Sequence, residues 1–228
     1  MSLLILIFIF IFILYKKYNS KIIIYNKTFS NTDHWGKNEL TVLNNITPHG
    51  HTILKQMPLI PFPSNTSNIT KNEINNIKIL NKKRTLSQQK EIKKELSLFG
   101  IIDKFSIDKQ EYNTLLKFIL KSVDPIILNL KKKYNRVRPY RLDTSITPSI
   151  KPPKHPSYPS GHSIQSFIIA YLLSEKYPEK KDHFIKTAYS IAKNREYAGV
   201  HYSSDTIYGI IIAKKLSELF SKENNPLL

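Results

Sequence analysis

The tetrapeptide Pro159-Ser160-Gly161-His162 stands directly before an apolar run, Ser163 to Leu173. Ser is a strong helix N-cap, and Gly lets backbone come close to a ligand. A helix start presents unpaired N–H groups and partial positive charge, which suits an anion such as phosphate. His162 sets a titratable group beside that anion. Two basic clusters accompany it: Lys131 with Arg138-Pro139 after six intervening residues, and Arg195 followed by His201 and Asp205. Each has a plainer reading alone. Ser160 is then an ordinary cap, the first cluster is a cationic helix end favoured by the dipole, and Asp205 or Ser204 caps a helix over a packed His201.

Together the clusters supply the roles that metal-free phosphoryl transfer requires. Charge builds on the equatorial oxygens of the transferred group, so catalysis is mostly positioning and electrostatic stabilisation. Arg138 and Arg195 offer planar donor forks, and Lys131 a point charge. The Ser160 hydroxyl and Gly161 N–H add neutral donors. A neutral His can attack phosphorus, an Asp on its other ring nitrogen fixes the tautomer, and a second His can protonate the leaving alcohol. Two histidines and one carboxylate stand at matching places.

These three motifs resemble, in order, the signatures of the type 2 phosphatidic acid phosphatase superfamily, which includes bacterial acid phosphatases and vanadate-dependent haloperoxidases. The resemblance covers about a third of the chain. It implies His201 as nucleophile, Asp205 as its orienter and His162 as general acid, with Lys131, Arg138, Ser160, Gly161 and Arg195 binding phosphate. It also implies a helical bundle with the site between helices and no metal or other cofactor. One position departs from the pattern: Asn194 precedes Arg195 where the family usually has Ser. Asn still donates hydrogen bonds, so the expectation is altered support, not lost chemistry.

The elements that must hold these groups read as helices. Apolar spacing predicts helix over Leu86 to Phe99 and over Glu111 to Tyr134, the latter broken or kinked at Asp124-Pro125. Pro148, Pro152, Pro153, Pro156 and Pro159 make the next stretch extended. Helical patterns resume over Ser163 to Lys176, Asp182 to Arg195 and about Asp205 to Phe220. No strand-like alternation competes, apart from a short candidate at Ile22 to Tyr25. The expected fold class is therefore all-α: a helical bundle core at 83–228, preceded by an irregular N-terminal arm at 18–82.

Residues 1–17 read as a membrane anchor. Leu3 to Tyr15 is an unbroken apolar run followed by Lys16 and Lys17. As a helix it reaches roughly 20 Å, short of the ~30 Å hydrocarbon core unless lysines snorkel or the bilayer thins. A cleaved signal peptide competes, but a positive n-region and an Ala-x-Ala-like site are missing. The following lysines favour the cytoplasmic side for the body of the chain.

With 35 Lys+Arg against 17 Asp+Glu, the formal net charge of the 228 residues is +18, which favours phosphorylated or polyanionic partners. No stacking-aromatic pattern specific for nucleic acid accompanies that charge. The absence of Cys excludes disulfides and thiolate metal sites. His49 and His51 form a pair of metal-ligand type without an evident third member. Asn-x-Ser/Thr sequons begin at Asn26, Asn45, Asn65 and Asn68, and matter only for a lumenal domain. The expected function is phosphomonoester hydrolysis through a phosphohistidine, on a lipid phosphate or a small soluble phosphate, with the membrane as partner through residues 1–17. Two alternatives stand beside it: a vanadate-dependent haloperoxidase, with vanadate as cofactor, and a non-catalytic, tethered polyanion-binding protein.

Overall fold

The structure is a computed structural model that describes residues 26–228, with backbone alone for 222–224. The anchor over 1–17 and the strand candidate at 22–25 lie outside the described residues. Among the described residues no helix is long and apolar enough to cross a membrane. The same residues form no named strand; one isolated bridge joins Thr28 and Arg136.

The organising element is α9 (Gly161–Lys176), counted after α1 (Lys37–Asn44), α2 (Pro48–Lys55), α3 (Asn68–Lys83), α4 (Leu86–Lys94), α5 (Leu98–Asp103), α6 (Lys109–Phe118), α7 (Asp124–Tyr134) and α8 (Pro139–Leu142). Two longer helices follow, α10 (Lys181–Tyr197) and α11 (Ser203–Asn224). Buried side chains ring α9: Ile164, Phe167, Ile168, Ile169, Ala170, Leu172 and Leu173. A helix apolar on every side belongs at the centre of a bundle. α10 and α11 pack against it along most of its length, and the main core closes around the three with α6 and α7. Gly209 sets the α9–α11 approach. A Cβ there would sit 2.8 Å from Ser163 Cβ and 3.0 Å from the Ser160 carbonyl. Any side chain at 209 would therefore push the start of α9 away.

The N-terminal arm departs from the irregular chain expected of it. Between residues 26 and 82 it forms α1, α2 and nearly all of α3. Each of the last two starts at a side-chain cap that periodicity does not register: Thr47 accepts from Gly50 N ahead of Pro48, and Ser67 accepts from Thr70 N. α3 buries Ile74 and Ile77 in a second core with Ile92, Tyr140, Ile146, Ala198, Val200 and Tyr202. The arm thus forms the platform under the His201 segment.

Two further boundaries differ from expectation. The helix expected over Leu86 to Phe99 is two, because Ser97 caps a new start by accepting from Gly100 N. The break at Asp124-Pro125 is taken up by a π-helical turn, Ile119–Val123. That turn widens the ladder just before the proline, and helix continues from α6 through it into α7. The proline-rich segment before α9 carries no helix beyond Leu142, as its composition implies.

Candidate functional site

The three motifs meet because their carriers converge at the start of α9. Lys131 lies in the last turn of α7. Arg138 occupies the N-cap position of α8, and Arg195 the last turn of α10. Gly199, with φ 76°, turns the chain after α10 and delivers Val200 and His201 to the start of α11. Ser160 N–H donates to the Asp205 carbonyl at 3.0 Å, tying the second motif to the third.

A cavity of about 620 Å³ opens at this point. Lys131, His155, Gly161, His162, Arg195 and His201 line it. Arg138, Ser160 and Asp205 stand behind that lining, fully buried. His201 Nδ1 lies 2.9 Å from Asp205 Oδ2, and Nε2 lies 3.4 Å from Arg138 Nη1. The carboxylate accepts, so the proton sits on Nδ1 and Nε2 keeps its lone pair. Asp205 Oδ2 also accepts the Tyr202 N–H at 3.1 Å. One carboxylate thereby serves the capping box of α11 and holds the imidazole.

The cations hold the surrounding loops as well as facing the cavity. Lys131 Nζ donates to the carbonyls of Pro156, Ser157 and Pro159 at 3.0, 3.2 and 2.5 Å. Arg138 donates to the carbonyls of His155 and Val200 at 3.0 and 2.7 Å. Arg195 donates to Glu95 Oε2 at 2.9 Å, while its Nε is buried without a partner. An unpaired buried donor beside a cavity is suited to an oxyanion. His162 Nε2 lies 2.7 Å from the Glu95 carbonyl and 3.4 Å from Arg195 Nη1.

Burial and like charge set the titration of the group. Desolvation holds His201 well below the usual imidazole range, and Arg138 and Lys131 push the same way. His162 is lowered by burial and then by Arg195, against the pull of the Glu95 carbonyl. Lys131 is lowered by burial and by Arg138, partly offset by Asp205. A bound dianion opposes all of these shifts, because it favours the protonated forms.

Four residues in or behind the site have no role assigned in the sequence reading. Arg136 is buried beneath Asp205, with Nη1 2.6 Å from Asp205 Oδ1 and Nη2 3.3 Å from Glu73 Oε2. Its guanidinium lies 3.8 Å from the Tyr202 ring centroid. Glu73 also accepts the Ser204 N–H at 2.6 Å. Glu95, fully buried, receives Arg195 and both Asn194 contacts at 3.0 Å. His155 meets Arg138 Nη2 at 3.2 Å. The alternating Arg136 and Arg138 before Pro139 were a signal for the first; Glu73 in α3 and Glu95 just past α4 offered none. Asn194, the departure from the family pattern, shares with Arg195 the task of holding Glu95.

Among the described residues no cluster of three or more His, Cys, Asp or Glu could hold a metal ion, and His49 and His51 sit on α2 without a third ligand of that kind.

The family model described as PAP2 superfamily matches residues 113–217. The chain is 32% identical over 111 residues to a non-specific acid phosphatase of Providencia stuartii, covering 46% of this chain and 45% of the relative. It is 33% identical over 85 residues to a non-specific acid phosphatase of Salmonella typhimurium, covering 35% of this chain and 33% of the relative. The chain thus spans less than half the length of these curated relatives. In three dimensions it is similar to a bacterial vanadium-dependent iodoperoxidase, with a TM-score of 0.56 and 17% identity over 73% of this chain and 51% of that one. The likeness to that enzyme is one of fold.

Proposed function

We propose, from the premise that residues 113–217 belong to the PAP2 superfamily, that the chain is a phosphomonoesterase working through a phosphohistidine. The observation that carries the reading is the His201–Asp205 hydrogen bond of 2.9 Å, with the other ring nitrogen beside Arg138 at the cavity. The His201 Nε2 lone pair forms the bond to phosphorus as the bond to the alcohol oxygen breaks. His162 gives that oxygen its proton. Water then attacks phosphorus, His162 takes the water's proton, and the P–N bond breaks to release phosphate. Lys131, Arg138 and Arg195, with the Ser160 hydroxyl and Gly161 N–H, take up the charge on the equatorial oxygens. With 1–17 as an anchor, and with Glu73 of α3 extending the catalytic unit upstream of the expected 83–228, this chemistry runs beside a bilayer.

The test is His201→Ala assayed on phenyl phosphate, with alkaline quenching to trap the phosphoenzyme. Turnover should fall by at least about 10³-fold, and the base-stable phosphate on the wild-type chain should vanish. Near wild-type turnover by His201→Ala would overturn the reading.

A further inference from the structure

The cavity has a second polar centre that the phosphate chemistry leaves unused. Along α7 the residues facing it are Asp124, Ile127, Leu128 and Lys131, the i, i+3, i+4, i+7 stripe of one helix face. Asp124 therefore lies about 10 Å along the helix axis from Lys131, at 1.5 Å per residue. The walls between are apolar: Leu98, Phe99, Leu120, Ile127 and Leu128.

Asn38, Glu39, Ser97 and Lys151 also reach the cavity, but the polar pair that joins α7 to α9 is Asp124 with Gln165. Gln165, one turn into α9, donates from Nε2 to Asp124 Oδ1 at 2.8 Å. Both residues line the cavity, and that bond uses one carboxylate oxygen and none of the amide oxygen's acceptor capacity. Burial pushes the Asp124 carboxyl up to about 6, with the Gln165 bond pulling the other way. A carboxyl in a first helical turn interacts favourably with the helix dipole, but this one makes its hydrogen bond across to another helix. The π turn Ile119–Val123 ends immediately before it, and such turns recur where a helix face is re-aimed at a ligand.

Resting on the phosphatase reading above, we infer that Asp124 and Gln165 form a leaving-group subsite. It selects phosphomonoesters whose alcohol carries a hydrogen-bond donor, hydroxyl or ammonium, about two helical turns from the phosphate. The apolar walls take the body of the alcohol, and the pair takes its donor. Selectivity arises because an apolar end would strip water from both acceptors and return nothing.

Two esters of matched shape test this: tyramine phosphate, which ends in an ammonium, and para-propylphenyl phosphate, which ends in a methyl. The full chain at neutral pH should favour tyramine phosphate in kcat/KM by about 10- to 100-fold. Asp124→Leu should bring that ratio close to one, and Gln165→Met should lower it part of the way. The Gln165 variant keeps the test alive should Asp124→Leu fail to fold. A wild-type ratio near one overturns the subsite while the phosphatase reading stands. So does a ratio that survives Asp124→Leu, which would assign the preference to Glu39 at the cavity wall. A purely structural role for the pair predicts equal losses on both esters. Failure of the wild-type chain to hydrolyse either ester overturns the phosphatase reading itself, and the subsite with it.

Discussion

Replacing Arg136 by Met tests whether the Glu73–Arg136–Asp205 chain holds the His201 end of the site. Met keeps much of the aliphatic stem and removes the guanidinium. The arginine is 1% exposed and reaches Asp205 Oδ1 at 2.6 Å, Ser204 Oγ at 2.7 Å and Glu73 Oε2 at 3.3 Å. Against the pull of burial, Asp205, Tyr202 and Glu73 hold its pKa above the usual value, so it is a cation throughout the working range. Its removal strands two carboxylates in the interior. Deleting one partner of a buried pair costs about 3–5 kcal/mol. For a chain of this size that is a fall of about 6–20 °C in Tm. Asp205 would lose the contact that fixes its second oxygen, and a displacement of about 1 Å at His201 can cost about 10²-fold in turnover. Urea unfolding followed by circular dichroism reads the first effect, and phenyl phosphate hydrolysis well below the transition reads the second. Glu73→Gln added to Arg136→Met removes one stranded charge and should restore about 1 kcal/mol or more. A single-variant loss below about 1 kcal/mol, or a double variant no more stable than the single, would refute the reasoning.

Two further outcomes follow from the same geometry. His155, His162 and His201 are all held well below the usual imidazole range, by burial first and by neighbouring cations second. Below about pH 6.5 the unfolded chain takes up protons there that the folded chain refuses. Stability is therefore full above that pH and declines as pH falls, by about 1.4 kcal/mol per pH unit for each histidine still neutral in the fold. Inorganic phosphate should reduce the decline, and thermal scans showing constant or rising stability toward acid pH would contradict this account. For Asn194→Ser, the shorter hydroxyl cannot span both Glu95 oxygens, so the expected cost is about 0.5–1.5 kcal/mol in urea unfolding. Turnover should change within a few fold; a loss of about 10²-fold would mean that Asn194 acts on the reaction by some route other than Glu95.

The legible part of this molecule was its local chemistry. A Ser cap, a Gly and a His leave a mark in sequence because their spacing is fixed by one helix start. His201 and Asp205 leave one because both belong to one helix start, His201 just before the N-cap Tyr202 and Asp205 in the first turn. The last three helices could be read because their apolar positions repeat. Glu73, Glu95 and Asp124 leave no such mark. Each acid meets its partner across a gap of tens of residues, and nothing periodic distinguishes it from a surface acid on a Lys-rich helix. α1 to α3 were missed for a related reason: they are short or Asn-rich and depend on caps and tertiary packing, which a periodicity count does not see. The π turn was read as a proline kink, since sequence records the missing N–H of Pro125 but not how the preceding turn absorbs it.

Glu73 and Glu95 both precede residue 113, where the family match begins. The stretch bearing His162, His201 and Asp205 thus does not bear the counter-charges that steady Arg136 and Arg195. Anyone grafting, shuffling or trimming this chain at the edge of the recognisable homology would detach two anions from two interior cations. The smallest transplantable piece starts upstream of Ser67, whose hydroxyl begins the helix that carries Glu73.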